Sequence, residues 1–168
     1  TELSGNFGEF DLFSRELNYF FIERFLSGAI NLNGRLNPSI NLKKIIPKNI
    51  GINLEKFDDI SGDFAIDANL KENFNEDYTI KKDETTFNLV TKDFKFRLKH
   101  SKRYFFENVN STINFNNYGK ISSKGEFKLN NKKNKFDAIR QNSKKPLNIK
   151  LTGVINFKDI FFDKGSFL

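Results

Sequence analysis

The sequence predicts an all-β fold of antiparallel strands, and three observations carry that prediction. Over residues 26–42 (L-S-G-A-I-N-L-N-G-R-L-N-P-S-I-N-L) every even position is apolar or lacks a polar side chain, and every odd position except Ala29 is polar. Successive strand side chains point to opposite faces, so this pattern makes one apolar and one wet face, which a 3.6-residue period cannot produce. The same alternation returns several times further along the chain. A short motif also recurs: apolar, Ser or Thr, Gly, any residue, apolar. It begins at Leu3, Leu26, Ile60 and Leu151, with a looser copy at Ser123. The copies are unevenly spaced, which excludes a fixed-period propeller and suggests one kind of strand laid down repeatedly.

In chain order, the first predicted element is the exception. Phe13, Leu17, Phe20, Phe21 and Phe25 recur at helical spacing, with Ser14 as an N-cap and Gly28 beyond the end. This predicts a short amphipathic helix over 13–25. Its charges (Arg15, Glu16, Glu23, Arg24) balance, which favours a helix covering one end of the sheet over a membrane-surface helix.

Asn33-Gly34 is a strong hairpin signal. An odd-length loop there, setting Leu32 opposite Leu36 and Ile30 opposite Pro38, keeps the faces unmixed and is preferred over a strand continuing through Gly34. Pro38 cannot donate to a ladder and suits an edge, a strand start or a bulge. The chain then turns through Lys43-Lys44 and Pro47-Lys48-Asn49, and alternation resumes at Ile50, Ile52 and Leu54. The next strand carries Ile60, Gly62, Phe64, Ile66, Ala68 and Leu70, with Ser61, Asp63, Asp67 and Asn69 opposite.

Residues 71–82 are polar and predict a loop or frayed hairpin. Phe87 and Leu89, then Phe94, Phe96 and Leu98, continue the strand pattern. Phe105, Val109, Ile113 and Phe115 are assigned to one face, with Asn108, Asn110, Thr112 and Asn114 on the other. Tyr118-Gly119-Lys120 turns the chain into Ile121, Gly125, Phe127 and Leu129. Residues 130–135 predict a solvated loop. A last strand carries Leu147, Ile149, Leu151, Gly153, Ile155 and Phe157. Glycines in the apolar rows (Gly28, Gly34, Gly62, Gly125, Gly153), with Pro38, are the expected turn and bend positions.

Composition bounds the function. The 168 residues suit a single β-rich unit, 1–168, and a chain that starts at Thr1 and contains no Met predicts a piece of a longer protein. No run reaches the ~18 apolar residues of a membrane-spanning helix. The net charge of +7 comes mostly from lysines dispersed on polar faces, which serves solubility. There is no Cys and one His, so thiolate chemistry and a structural zinc site are excluded, and no metal or cofactor is expected. His100 sits beside Ser101 in a lysine-rich strand end, with nothing to make a nucleophile of the serine. Asp58-Asp59 and Asp83-Glu84 fall in turns, where carboxylates serve local hydrogen bonds. No phosphate-cradling glycine loop is present. No catalytic residue emerges, and the expectation is a protein that is not an enzyme.

Nucleic acid is also disfavoured. The segment K-F-R-L-K-H-S-K-R from Lys95 interleaves cations and aromatics, but alternation sends Phe96 and Leu98 to the face opposite Lys95, Arg97 and Lys99. Bases cannot stack on one face while phosphates track the other. A transmembrane barrel would want Trp and Tyr girdles, and this chain has 21 Phe, 4 Tyr and no Trp. An apolar strand face must still be covered. A second sheet, a closed barrel, a sheet folded lengthwise into a trough, or lipid would each do so.

At F-L-S-G-A-I-N-L-N-G-R-L-N-P-S-I-N-L the sequence resembles the TamB/AsmA-like envelope proteins, TamB more closely. Gly28, Gly34, Leu36, Pro38 and Ile40 match that family's Gly-led strand, Gly-x-apolar turn, Pro and following strand. L-N-Y-F-F-I-E-R-F from Leu17 is similar to the segment that precedes such repeats. The likeness covers residues 13–42, with a turn one residue shorter than usual and no Gly soon after Pro38. It implies a taco-shaped antiparallel sheet with an apolar interior, in the periplasmic part of an inner-membrane-anchored bacterial envelope protein. Such segments join the remainder of their own longer chain into a groove that carries phospholipid toward the outer membrane. On this reading phospholipid acyl chains would lie against Ile30, Leu32, Leu36, Ile40, Phe64, Ile66, Phe94, Phe96, Ile113, Phe115, Phe127, Leu129, Leu151, Ile155 and Phe157. The alternative role is a module that helps outer-membrane β-barrels assemble by offering an edge strand to its client or to a barrel-assembly partner.

Overall fold

The computed structural model describes residues 2–7, 9–37, 57–99 and 101–154. These form ten strands: β1 (Leu3–Phe7), β2 (Phe10–Phe20), β3 (Phe25–Leu36), β4 (Phe57–Phe74), β5 (Ile80–Asp83), β6 (Thr86–Leu98), β7 (Ser101–Asn116), β8 (Ile121–Leu129), β9 (Lys132–Arg140) and β10 (Asn148–Gly153). All pair antiparallel in one sheet of order β1-β2-β3-β4-β6-β7-β8-β9-β10, and β5 pairs with the far end of β4, in line with β6. It is a meander. The two outermost strands, β1 and β10, each have one neighbour, so the sheet is open and not a barrel.

Directly opposed residues share a face, so the register sorts the side chains. One rung runs Leu12, Leu32, Ile66, Leu89, Ile113, Ser123, Ala138, Ile149, crossing every strand from β2 to β10 in the sheet order. The next on that face runs Phe10, Gly34, Phe64, Thr91, Ser111, Gly125, Phe136, Leu151. On the reverse face a rung runs Asp11, Asn33, Ala65, Val90, Thr112, Lys124, Asp137, Lys150. The alternation within each strand thus stays in phase across the whole sheet.

Staying in phase requires corrections, and β-bulges supply them. Glu16, Asp59, Asp93 and Asn108 have φ of 53°, 56°, 50° and 48°. Each lies at a register shift, where two residues on one strand face one on its partner. Three of the four are Asp or Asn, the non-glycine residues that tolerate left-handed backbone best.

Several expectations change here. No helix occurs among the described residues, and 13–25 is most of β2, a turn over 21–24, and the first residue of β3. The bulge at Glu16 is the reason. It moves the apolar face from Leu12 and Ser14 to Leu17 and Tyr19, so no single alternation runs through β2, and the helically spaced Phe13, Leu17 and Phe20 are drawn from both faces of the strand. Ser14 is buried on that face and caps no helix. Nor is Gly34 a turn, because β3 runs through it, paired on both sides.

Residues 71–82 divide between the end of β4, a turn, and β5. Phe105 lies opposite Arg97 on the polar face, and Phe106 takes the apolar position opposite Phe96, since the bulge at Asn108 reverses the phase. Residues 130–135 are mostly strand, joined to β8 by a tight turn at Asn130-Asn131, whose φ angles are 48° and 67°. Pro38, Ile40, the turns and strand expected over 43–54, His100, Ile155 and Phe157 lie outside the described residues.

The sheet is one layer deep where it is described. Each strand's substantial close contacts are with its hydrogen-bonded neighbours. Leu36, Ala68, Phe127, Leu129 and Ala138 are the buried apolar residues among those described, and most of the remaining apolar face is half-buried.

Candidate functional site

The feature with chemical consequence is the apolar face. Ile30, Leu32, Leu36, Phe64, Ile66, Phe94, Phe96, Ile113, Phe115, Phe127, Leu129 and Leu151 all lie on it. Leu89 and Val109, which the sequence places in the strand pattern, share it, as do Phe10, Leu12, Leu17 and Phe136, which sequence reasoning missed. Strand β9 was missed as a whole because lysines hid Phe136 and Ala138, although the Asn130-Asn131 turn signalled a hairpin there.

Aromatic rings organise this face. Near the β8–β9 turn, Phe57, Phe96, Phe106, Phe127 and Phe136 form a row across five strands, with successive centroids 5.4, 4.6, 5.5 and 6.1 Å apart. Phe87 stacks on Phe115 at 4.9 Å in the opposite half of the same strands. Such ring pairs add to plain area burial. Phe10 and Phe64 meet over Gly34, which lies between them in the sheet.

Between the two aromatic groups lies a floor of small residues. Thr91, Ser111 and Ser123 are buried there. The hydroxyls of Thr91 and Ser111 share a 2.7 Å hydrogen bond, and Thr91 Oγ1 donates to the Val109 carbonyl at 3.3 Å, which makes Ser111 the donor between the hydroxyls. A short side chain on a flat, single-layer sheet would be wet. Its burial requires larger neighbours leaning over it.

Glycines let partner side chains lie flat against the face. A Cβ on Gly34 would fall 2.6 Å from Phe10 Cδ1 and 2.5 Å from the Glu9 carbonyl oxygen. One on Gly62, where φ is +134°, would fall 2.5 Å from Phe94 Cα. Gly125 lies beneath the Phe136 ring in the same way.

The reverse face is polar and hydrogen-bonded along its rungs. Asp67 accepts from the Nδ2 groups of both Asn31 and Asn88, and Arg35 pairs with Asp63 at 3.6 Å. The Arg97 guanidinium lies over an aromatic ring on this face, its Cζ 5.2 Å from the Phe105 ring centre. Lys95 and Arg97 are therefore on the side opposite Phe96.

Titratable groups gather away from the apolar floor, where β4, β5 and β6 meet. Burial, and then the charge of Asp83, raise the Glu72 carboxyl above its usual range, partly offset by a hydrogen bond from Thr85. Burial also pushes Asp83 up, but hydrogen bonds from the Thr85 N–H and the Asn117 amide outweigh it, and its pKa is lowered. These contacts hold the short connection from β5 to β6 around the buried Thr85. Among the described residues no group of His, Cys, Asp and Glu could hold a metal ion, and no helix is long and apolar enough to cross a membrane.

No protein-family model, curated protein or solved structure matches the chain. The apolar face is therefore read from its own chemistry. Among the described residues it offers apolar area around a few buried hydroxyls.

Proposed function

We propose that this chain is a non-catalytic segment of a TamB-like envelope protein whose sheet, folded lengthwise into a trough, carries phospholipid acyl chains toward the outer membrane. The observation that carries the reading is a face apolar from β2 to β10 on which, among the described residues, no second layer lies. Each methylene moved onto such a surface gains about 0.8 kcal/mol, so an acyl chain needs no specific contact to be held. The buried Thr91, Ser111 and Ser123 favour a concave face, and bulges on β2, β4, β6 and β7 increase local twist in the sense that curls a sheet. The outer sides of β1 and β10, unpaired among the described residues, suit a sheet that continues in the remainder of a longer chain. The same free edges favour the second reading, an assembly module that pairs with strands of outer-membrane proteins.

Native mass spectrometry with lipid extraction separates the two. The purified chain should carry phospholipid, and a folded Phe64→Asp/Ile113→Asp variant should lose it. A lipid-free monomer under the same conditions would overturn the carriage reading. Strand capture that a proline in β10 abolishes would then support the assembly module.

A further inference from the structure

We propose that the β2–β3 turn is a membrane-contacting tip that seats one end of the sheet in the interface of a zwitterionic bilayer. Phe21 is 81% and Ile22 94% exposed, and Phe20 beside them is 46% exposed. The neighbouring β4–β5 turn adds Tyr78 at 73%, and Ile80 follows it at 54%. Apolar side chains this exposed at adjoining turns mark a contact site.

The tip is braced, so its exposure is built in. Arg24 pairs with Glu76 across the two turns at 3.3 Å, and the Phe74 N–H donates to the Arg24 carbonyl at 2.8 Å. The β4–β5 turn is closed by Asn75 N–H to the Thr79 carbonyl at 2.9 Å and by Thr79 Oγ1 to Asp77 at 2.6 Å. The Phe21 ring packs edge-on against Tyr19 at 5.0 Å, and Tyr19 against Phe74 at 6.0 Å. Tyr19 belongs to the apolar face, so the tip and that face are continuous.

The shape and charge of the tip select its occupant. A stable protein interface buries roughly 800 Å² on each partner, far more than a few side chains on a hairpin turn supply. Hydrocarbon accepts a protruding Phe or Ile without shape complementarity, and tyrosine suits the headgroup level. The surrounding charges give no cationic excess: Arg24 pairs with Glu76, Lys71 and Lys82 share Glu84, and Glu23 and Asp77 add acids within the two turns. Attraction to the bilayer is therefore apolar and indifferent to salt. The contact rests on the tip's own side chains and stands whether or not the sheet carries lipid.

The chain has no Trp, so Phe21→Trp places a single indole at the tip. With phosphatidylcholine vesicles its emission should shift to the blue, be quenched by brominated acyl chains, and stay so in high salt. In vesicle sedimentation, Phe21→Ser/Ile22→Ser should lower the partition constant of the otherwise unchanged chain by about tenfold or more. The proposal is overturned by water-like emission at every lipid concentration, or by sedimentation that the double variant leaves unaltered. Binding that requires anionic lipid and vanishes in salt would assign the contact to lysines elsewhere. A blue shift without vesicles that depends on protein concentration would assign the tip to a second copy of the chain.

Discussion

The rings of Phe10 and Phe64 are 5.6 Å apart although β3 runs between their strands. Gly34 makes this possible, since its missing side chain leaves the space through which the rings meet. Gly34→Ala should therefore destabilise the sheet by about 1–3 kcal/mol, because the added Cβ meets the Glu9 backbone as well as the Phe10 ring. Urea titration of the two proteins measures it, and an unchanged midpoint would refute the close packing.

The Thr91–Ser111 pair should behave non-additively. Thr91→Val strands the buried Ser111 hydroxyl and should cost about 1–3 kcal/mol. Ser111→Ala should cost less, because Thr91 keeps its bond to the Val109 carbonyl. The double variant should cost less than the sum, and a double-mutant cycle in urea reads the difference.

Phe96 and Phe105 should differ sharply. Phe96 touches both Phe57 and Phe106 on the apolar face, and Phe96→Ala should cost about 2–3 kcal/mol. Phe105 lies under Arg97 on the polar face, and Phe105→Ala should cost about 1 kcal/mol. Equal losses in thermal or urea unfolding would contradict the register of β6 and β7.

Acid should erase the contribution of Asp83. Its folded pKa is depressed, so its stabilisation is present above the ordinary aspartate range and lost as pH falls through the depressed value. Asp83→Asn should lower stability at neutral pH by under about 1 kcal/mol, given its partial exposure. The gap to the parent protein should close in acid. Glu72 works oppositely: its raised pKa means that protonation favours the folded state as pH falls, so Glu72→Gln should not destabilise at neutral pH.

Legibility in the sequence followed the bulges. β3 contains none, and its alternation is readable from Leu26 to Leu36, across the Asn33-Gly34 pair that suggests a turn. β4 was readable from Gly62 to Leu70 because its bulge, at Asp59, falls before that run. In β2 a single extra residue at Glu16 shifts the apolar face from even to odd positions and hides the alternation, and in β7 the one at Asn108 exchanges the places of Phe105 and Phe106. Asp93 and Asn108 carried a signal nonetheless, being left-handed-tolerant residues inside otherwise alternating strands. The hairpin expected at Gly34 failed because local turn propensity competes with strand partners on both sides, which only the assembled sheet supplies. The tip at Phe21 and Ile22 was visible only as apolar residues, and their exposure required the fold.

Because each strand leans chiefly on the next, the sheet is mechanically a one-dimensional lattice. Loss of order should start at β1 and β10 and move inward, with the tightly cross-linked β3–β4–β6–β7 block opening last. Hydrogen exchange along the chain would then form a gradient from margin to centre in place of a single global value. A hairpin added or deleted at either margin would leave the others' geometry intact, so a protein of this kind can change its span by whole hairpins without redesigning its interior.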